Sequence, residues 1–225
     1  MDTVACAWRD GEVLHESQLG LSPRGRPLHA TGLLQEVERA AAAAGGWDRV
    51  DLLAVGLGPG TFTGIRVGIA TARGLAVSLG LPVRGVCTLD ALGRGIQEAE
   101  NGGLALAVLD GWRGEVFAAL YGAHGERLWG PAVQRPEELA ERVGSLDETP
   151  AVAGSGAVRF RKELTRDGVR IADDSDPVHR VAARHLCAFA AAMAGGKDGE
   201  QLAPIYLRPP DAERWRERDA SQRAQ

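Results

Sequence analysis

The stretch Leu52-Leu53-Ala54-Val55-Gly56-Leu57-Gly58-Pro59-Gly60-Thr61-Phe62-Thr63-Gly64-Ile65-Arg66 decides the fold. Leu52 to Leu57 is a short apolar run that reads as a buried strand, Gly58-Pro59-Gly60 is a tight turn, and a helix follows from about Gly64 to Leu79. Strand, glycine turn and helix are the layout that holds phosphate at a helix N-terminus. The named phosphate motifs do not fit. A P-loop requires a lysine that the segment lacks. A dinucleotide fingerprint from Gly56 or Gly58 needs glycine where Thr61 or Thr63 stands, and a nucleophile elbow needs serine where Phe62 stands. Residues Gly58, Pro59, Gly60, Thr61, Phe62, Thr63 and Gly64 are therefore expected to form a generic anion- or nucleotide-binding turn. The competing reading is a plain turn in which Thr61 or Thr63 caps the helix.

The helix after the turn has only two charged residues, Arg66 and Arg73, on one narrow stripe, and the rest is apolar, glycine or threonine. Such a helix must be covered on more than one side. Gly64, Gly68, Ala72 and Ala76 recur every four residues, a spacing that lets another helix approach closely. Its second cover is either another element of the same fold or a partner.

Upstream, Val4 to Trp8 and Glu12 to Ser17 flank Asp10-Gly11, the strongest short hairpin signal. A loop, Ser22 to Pro27, leads to a helix from about Leu28 to Ala44, with Leu33, Val37, Ala40, Ala41 and Ala44 on one face and Gln35, Glu36, Glu38 and Arg39 on the other. Downstream, Val83 to Val86 is a strand, Leu89 to Glu98 a helix, and Asn101-Gly102-Gly103 a natural boundary. Leu104 to Asp110 and Glu115 to Tyr121 form a second hairpin, extended by Arg127 to Trp129. Then come a helix from Pro136 to Val143, a strand from Ala151 to Ala153, an alanine-rich helix from Val178 to Met193 and a charged tail from Arg214. A hairpin followed by helix and strand in both halves points to a duplicated α/β architecture, divided as 1–100 and 101–225.

Composition narrows the function classes. Of 225 residues 44% are hydrophobic and 25% charged, which suits a globular protein. The net charge of −4 argues against strong independent nucleic-acid binding, which takes a clustered cationic excess. No apolar run approaches a membrane span and no signal pattern opens the chain, so the expected location is the cytoplasm. Cys6, Cys87 and Cys187 match no metal or redox spacing and are read as buried small hydrophobes. The histidines include no HExxH; His179 and His185 are badly placed for one helix face, and no metal site is expected. His29, ahead of the first long helix, is the best single histidine candidate. Asp51, Asp90, Asp110 and Glu115 lie near strand ends, yet no spacing pairs them for acid–base work. The residues by themselves offer no catalytic group.

Gly58-Pro59-Gly60-Thr61-Phe62-Thr63-Gly64-Ile65-Arg66-Val67-Gly68 resembles the signature of the TsaB (YeaZ) family. Ala72-Arg73-Gly74-Leu75-Ala76, Val86-Cys87-Thr88-Leu89-Asp90-Ala91-Leu92, Asp110 with Arg113-Gly114-Glu115-Val116-Phe117, and Pro204-Ile205-Tyr206-Leu207-Arg208 fall where that family has similar text. The resemblance covers nearly the whole chain and is weakest from about Gly122 to Arg180. It implies the actin, Hsp70 and sugar-kinase fold, with two RNase H-like α/β domains. It also implies a non-catalytic subunit that activates TsaD in threonylcarbamoylation of tRNA adenosine 37, with TsaE joining the complex and tRNA met only through it. By the same resemblance Leu33, Val37, Ile65, Gly68, Ile69, Ala72, Arg73 and Ala76 would make the partner interface. Arg66, Asp110, Arg113, Gly114, Glu115, Tyr206 and Arg208 are its other motif residues. No cofactor is implied, with ATP or ADP only in or at the complex interface, and a homodimer is open to the chain when alone. Two departures stand out. The family begins with an apolar strand and Asp-Thr, whereas this chain starts almost at the second strand, so the expectation is a missing first strand and a start further upstream. Gly111-Trp112 replaces the usual Ala-Arg. A small-molecule kinase or ATPase of the same fold is the alternative, and a metallopeptidase the third.

Overall fold

The computed structural model describes residues 3–20, 29–165, 169–193 and 202–208. The expected loop from Ser22 to Pro27, the side chain of His29 and the tail from Arg214 lie outside the described residues.

β1 (Thr3–Arg9) and β2 (Glu12–Leu19) pair antiparallel, with Arg9 opposite Glu12 across Asp10-Gly11. Both turn residues have positive φ, 50° and 92°, as the two-residue turn that matches strand twist requires. α1 (His29–Ala43) covers this ribbon and includes one departure from the expected amphipathic pattern. Glu36, read as a surface residue, is buried, and Arg39 one turn later pairs with it at 2.5 Å. The long Arg39 stem lets an exposed cation reach a carboxylate that helix geometry alone turns inward.

β3 (Leu53–Gly58) and β4 (Val83–Cys87) are parallel, joined by the crossover helix α2 (Phe62–Leu79). These two strands form their own ribbon; among the described residues, neither β1 nor β3 has a strand beside its second edge. α3 (Thr88–Ala99) follows directly, and its buried face packs on a different sheet.

That sheet has the order β7-β6-β5-β8-β9, built from β5 (Ala105–Trp112), β6 (Glu115–Tyr121), β7 (Arg127–Gln134), β8 (Ala151–Ala153) and β9 (Arg170–Ile171). β7 runs five residues past the Trp129 end expected from sequence. Ala105, Ala107 and Leu109 meet Leu89, Leu92 and Ile96 of α3 on one face. Leu106 and Val108 meet Leu139 and Val143 of α4 (Pro136–Gly144) on the other, with Ala157 of α5 (Ser155–Arg159) and Leu164 of α6 (Arg161–Leu164). A strand covered on both faces has no polar side to show, which explains the unbroken apolar run Leu104 to Leu109.

α7 (Ala183–Ala192) is shorter than the expected helix from Val178. Pro177–His179 makes a single 3₁₀ turn capped by Asp176, and Ala182 is extended, so alanine richness overstated the helix. α7 lies across both ribbons: Arg184 and Cys187 touch β2 and β1, while Arg84 of β4 donates to the Ala190 carbonyl. No helix among the described residues is long and apolar enough to cross a membrane.

Candidate functional site: the glycine turn and the two faces of its helix

The turn between β3 and α2 is packed shut. Pro59 is fully buried and Gly58 is held at φ 101°. A Cβ on Gly58 would lie 2.7 Å from Ile65 Cδ1 and 3.2 Å from the Ile205 carbonyl oxygen, so only glycine fits. Thr61 is the N-cap of α2: its hydroxyl accepts from the Gly64 N–H at 3.2 Å, and its carbonyl accepts from Ile65. A side chain of the protein thus already satisfies one of the amides that would greet an anion.

A C-terminal strap, residues 202–208, lies against this turn. The Ile205 N–H donates to the Leu57 carbonyl at 2.8 Å. Arg66 Nε donates to the Tyr206 hydroxyl at 2.9 Å, Phe62 stacks on Tyr206 with ring centroids 5.3 Å apart, and the Arg66 guanidinium lies 3.6 Å from the Phe62 centroid. Arg73 donates to the Leu202 carbonyl, and Arg208 pairs with Glu115 at 2.7 Å. The only two charges of α2 therefore both tie the helix to the strap. The strap in turn reaches the β5–β6 hairpin through Arg208.

α2 has two apolar faces. Ile65, Ile69, Ala72 and Ala76 are buried with Val55, Val83 and Leu202, so these four expected interface positions belong to the chain's own core. Gly68 also faces inward, with its Cβ position 3.7 Å from Val55, and Arg73 is taken up by the strap. The small-residue ridge lets α2 approach its own β3. On the opposite side Val67, Ala70, Thr71, Gly74 and Leu75 line an open groove of about 380 Å³ with Leu33 and Leu34 of α1. Val77 continues that stripe and is 79% exposed, with Leu34 49% exposed. Val37 is half-buried on α1. The outer stripe was missed because periodicity shows that two faces are apolar without saying which one meets the sheet.

Three of the four carboxylates singled out in the sequence, Asp90, Asp110 and Glu115, are held in structural pairs. Asp110 is bound by Arg159 at 2.7 Å and accepts from the Trp112 N–H, shaping a hairpin tip where Trp112, Arg113 and Gly114 all have positive φ. Asp90 accepts from the Tyr121 hydroxyl at 2.7 Å, and burial beside that carboxylate pushes the Tyr121 phenol well above its ordinary range. Asp51 is exposed at the entry to β3. His179 bridges the Gly154 N–H at Nδ1 and the Ala172 carbonyl at Nε2, which fixes its tautomer. His185 is buried, and desolvation followed by the nearby Arg184 lowers its pKa. Among the described residues, no three His, Cys, Asp or Glu side chains converge as a metal site.

Residues 11–195 match the family described as TsaD, tRNA N6-adenosine threonylcarbamoyltransferase. The tRNA threonylcarbamoyladenosine biosynthesis protein TsaB of Escherichia coli is 30% identical over 92% of this chain and 91% of its own length. An uncharacterised protein of Mycobacterium tuberculosis is 37% identical over 82% of this chain and 77% of its own. The solved structure of YeaZ from Pseudomonas aeruginosa superposes with a TM-score of 0.73 at 27% identity, covering 91% of this chain and 93% of that one.

Proposed function

The chain belongs to the TsaB (YeaZ) family, within the wider group that the TsaD family describes, and from that premise we propose that it serves tRNA threonylcarbamoyladenosine synthesis as a non-catalytic subunit. In this reading it docks the transferase TsaD through the outer faces of α1 and α2. The observation that carries the reading is the second apolar face of α2: Val67, Ala70 and Gly74 line a groove with Leu33 and Leu34 on the side away from β3, and Val77, further along the helix, is 79% exposed. A helix face of this kind, lined with small residues, suits a helix of a partner laid into the groove. The pairing of Asp90, Asp110 and Glu115 with Tyr121, Arg159 and Arg208 supports a non-catalytic role, since a general base needs a carboxylate open to its substrate.

The finer architecture belongs to the same proposal. The chain comprises two RNase H-like domains of the actin, Hsp70 and sugar-kinase fold, 1–100 and 101–225, with α7 and the 202–208 strap packed back on the first; among the described residues, no strand of the first lies between β1 and β3. The free second edges of β1 and β3, bridged underneath by α7, are where that strand would pair. TsaE joins the complex, tRNA is met through it in the cytoplasm, and ATP or ADP binds only at the subunit interface.

The test is co-expression with TsaD of the same organism. A stoichiometric complex on size exclusion that restores threonylcarbamoyl transfer to tRNA is the expected result. Separate elution of two well-folded proteins, or magnesium-dependent ATP hydrolysis by this chain alone, would replace the reading with that of a small-molecule kinase or ATPase.

A further inference from the structure

The fold divides the three free cysteines into one and a pair. Cys87 is buried at the end of β4, and desolvation holds its thiol up. Cys6 and Cys187, 181 residues apart in the chain, are brought together by the packing of α7 on β1. The Cys187 thiol donates to the Cys6 carbonyl at 3.9 Å, which sets the two residues side by side. Neither is sealed in the core.

The surroundings fix this encounter. Cys6 stands opposite Glu16 in the β1–β2 register. One turn before Cys187, Arg184 holds Glu16 twice: its guanidinium donates to Oε2 at 2.8 Å and its backbone N–H donates to Oε1 at 2.8 Å. A charge-assisted clamp of this kind sets where the helix lies on the ribbon, so the approach of the two cysteines does not depend on the weak thiol–carbonyl hydrogen bond alone.

We propose that Cys6 and Cys187 are a reversible dithiol–disulfide pair, oxidised by a peroxide, that staples α7 to the β1–β2 hairpin. Cys6 as a neighbour lowers the Cys187 thiol from its ordinary value, and Cys187, whose thiol faces the Cys6 carbonyl, is taken as the attacking thiolate with Cys6 as the resolving thiol. The Cys187 thiolate attacks one oxygen of hydrogen peroxide, the O–O bond breaks, and hydroxide leaves a sulfenic acid on Cys187. The Cys6 sulfur then attacks the sulfenic sulfur, the S–O bond breaks, and the departing hydroxide takes the Cys6 proton as water. One peroxide is reduced to two waters as two thiols become one disulfide. A dithiol reductant returns both thiols by exchange.

The experiment treats the purified full chain with hydrogen peroxide and maps its peptides. The expected result is loss of two hydrogens in the intact mass, a Cys6–Cys187 linked peptide, a thermal midpoint higher by several degrees, reversal of these three by dithiothreitol, and Cys87 free to alkylate throughout. Cys6 and Cys187 both remaining alkylatable, or linkage through Cys87 or between copies, would overturn the proposal. Cys6→Ser should leave Cys187 as a sulfenic acid trapped by dimedone, while Cys187→Ser should leave Cys6 a thiol; the opposite pattern would overturn the assigned roles. If either variant fails to fold, the map of the unaltered chain decides.

Discussion

The strands β7-β6-β5-β8-β9 form one ladder with an apolar cluster on each face, whereas the four strands before them stand as two ribbons held together by α1, α2 and α7. In the second region Leu106, Val108, Val116 and Ala118 are sealed by the chain itself. In the first, α2 spends one face on β3 and leaves Val77 and its neighbours open. Burial is what stabilises, so the second region should carry the fold and the first should be where added contacts have most to offer.

Four substitutions or conditions can break or sharpen that contrast. The largest effect belongs to Gly154→Ala in the second region, where φ is 119° and a Cβ would meet the Val108 carbonyl oxygen and Leu92. Urea unfolding should show a loss of about 3 kcal/mol or more; a loss below about 1 kcal/mol would mean that this core yields more easily than its packing implies. Thr61→Ala in the first region removes a cap from α2 and should cost about 1 kcal/mol in the same assay. Gly74→Ala, on the open stripe with nothing within 4 Å of its Cβ position, should instead gain about 0.5–1 kcal/mol through helix propensity. A loss there would show that the stripe is packed after all.

The smallest effect is one of pH. Burial depresses the pKa of His185, so below its ordinary 6.5 the unfolded chain takes up a proton that the folded chain resists. That contribution to stability is present above pH 6.5 and is lost as pH falls below it, and His185→Leu should flatten this part of the stability profile. An unchanged slope would assign the pH dependence to other groups.

Local chemistry made much of this fold legible. Asp10-Gly11 announced the first hairpin, Gly58-Pro59-Gly60 the turn into α2, and the runs Leu104 to Asp110 and Glu115 to Tyr121 the second hairpin. What escaped depends on residues far apart in the chain. Arg66 and Arg73 looked like a stray polar stripe until the strap from Leu202 to Tyr206 supplied their acceptors. Cys6 and Cys187 looked isolated because nothing in their spacing tells that α7 returns to β1. Ile65, Ile69, Ala72 and Ala76 carried the same small and apolar signature as the open face, and only burial distinguishes the two.

The direct test of the central claim is Val77→Asp, assayed by binding of the purified variant to TsaD from the same organism. Because Val77 is 79% exposed, its thermal midpoint should match that of the unaltered chain, while affinity should fall at least ~tenfold as a charge enters an apolar contact. Unchanged affinity in a folded variant would contradict docking through the outer face of α2.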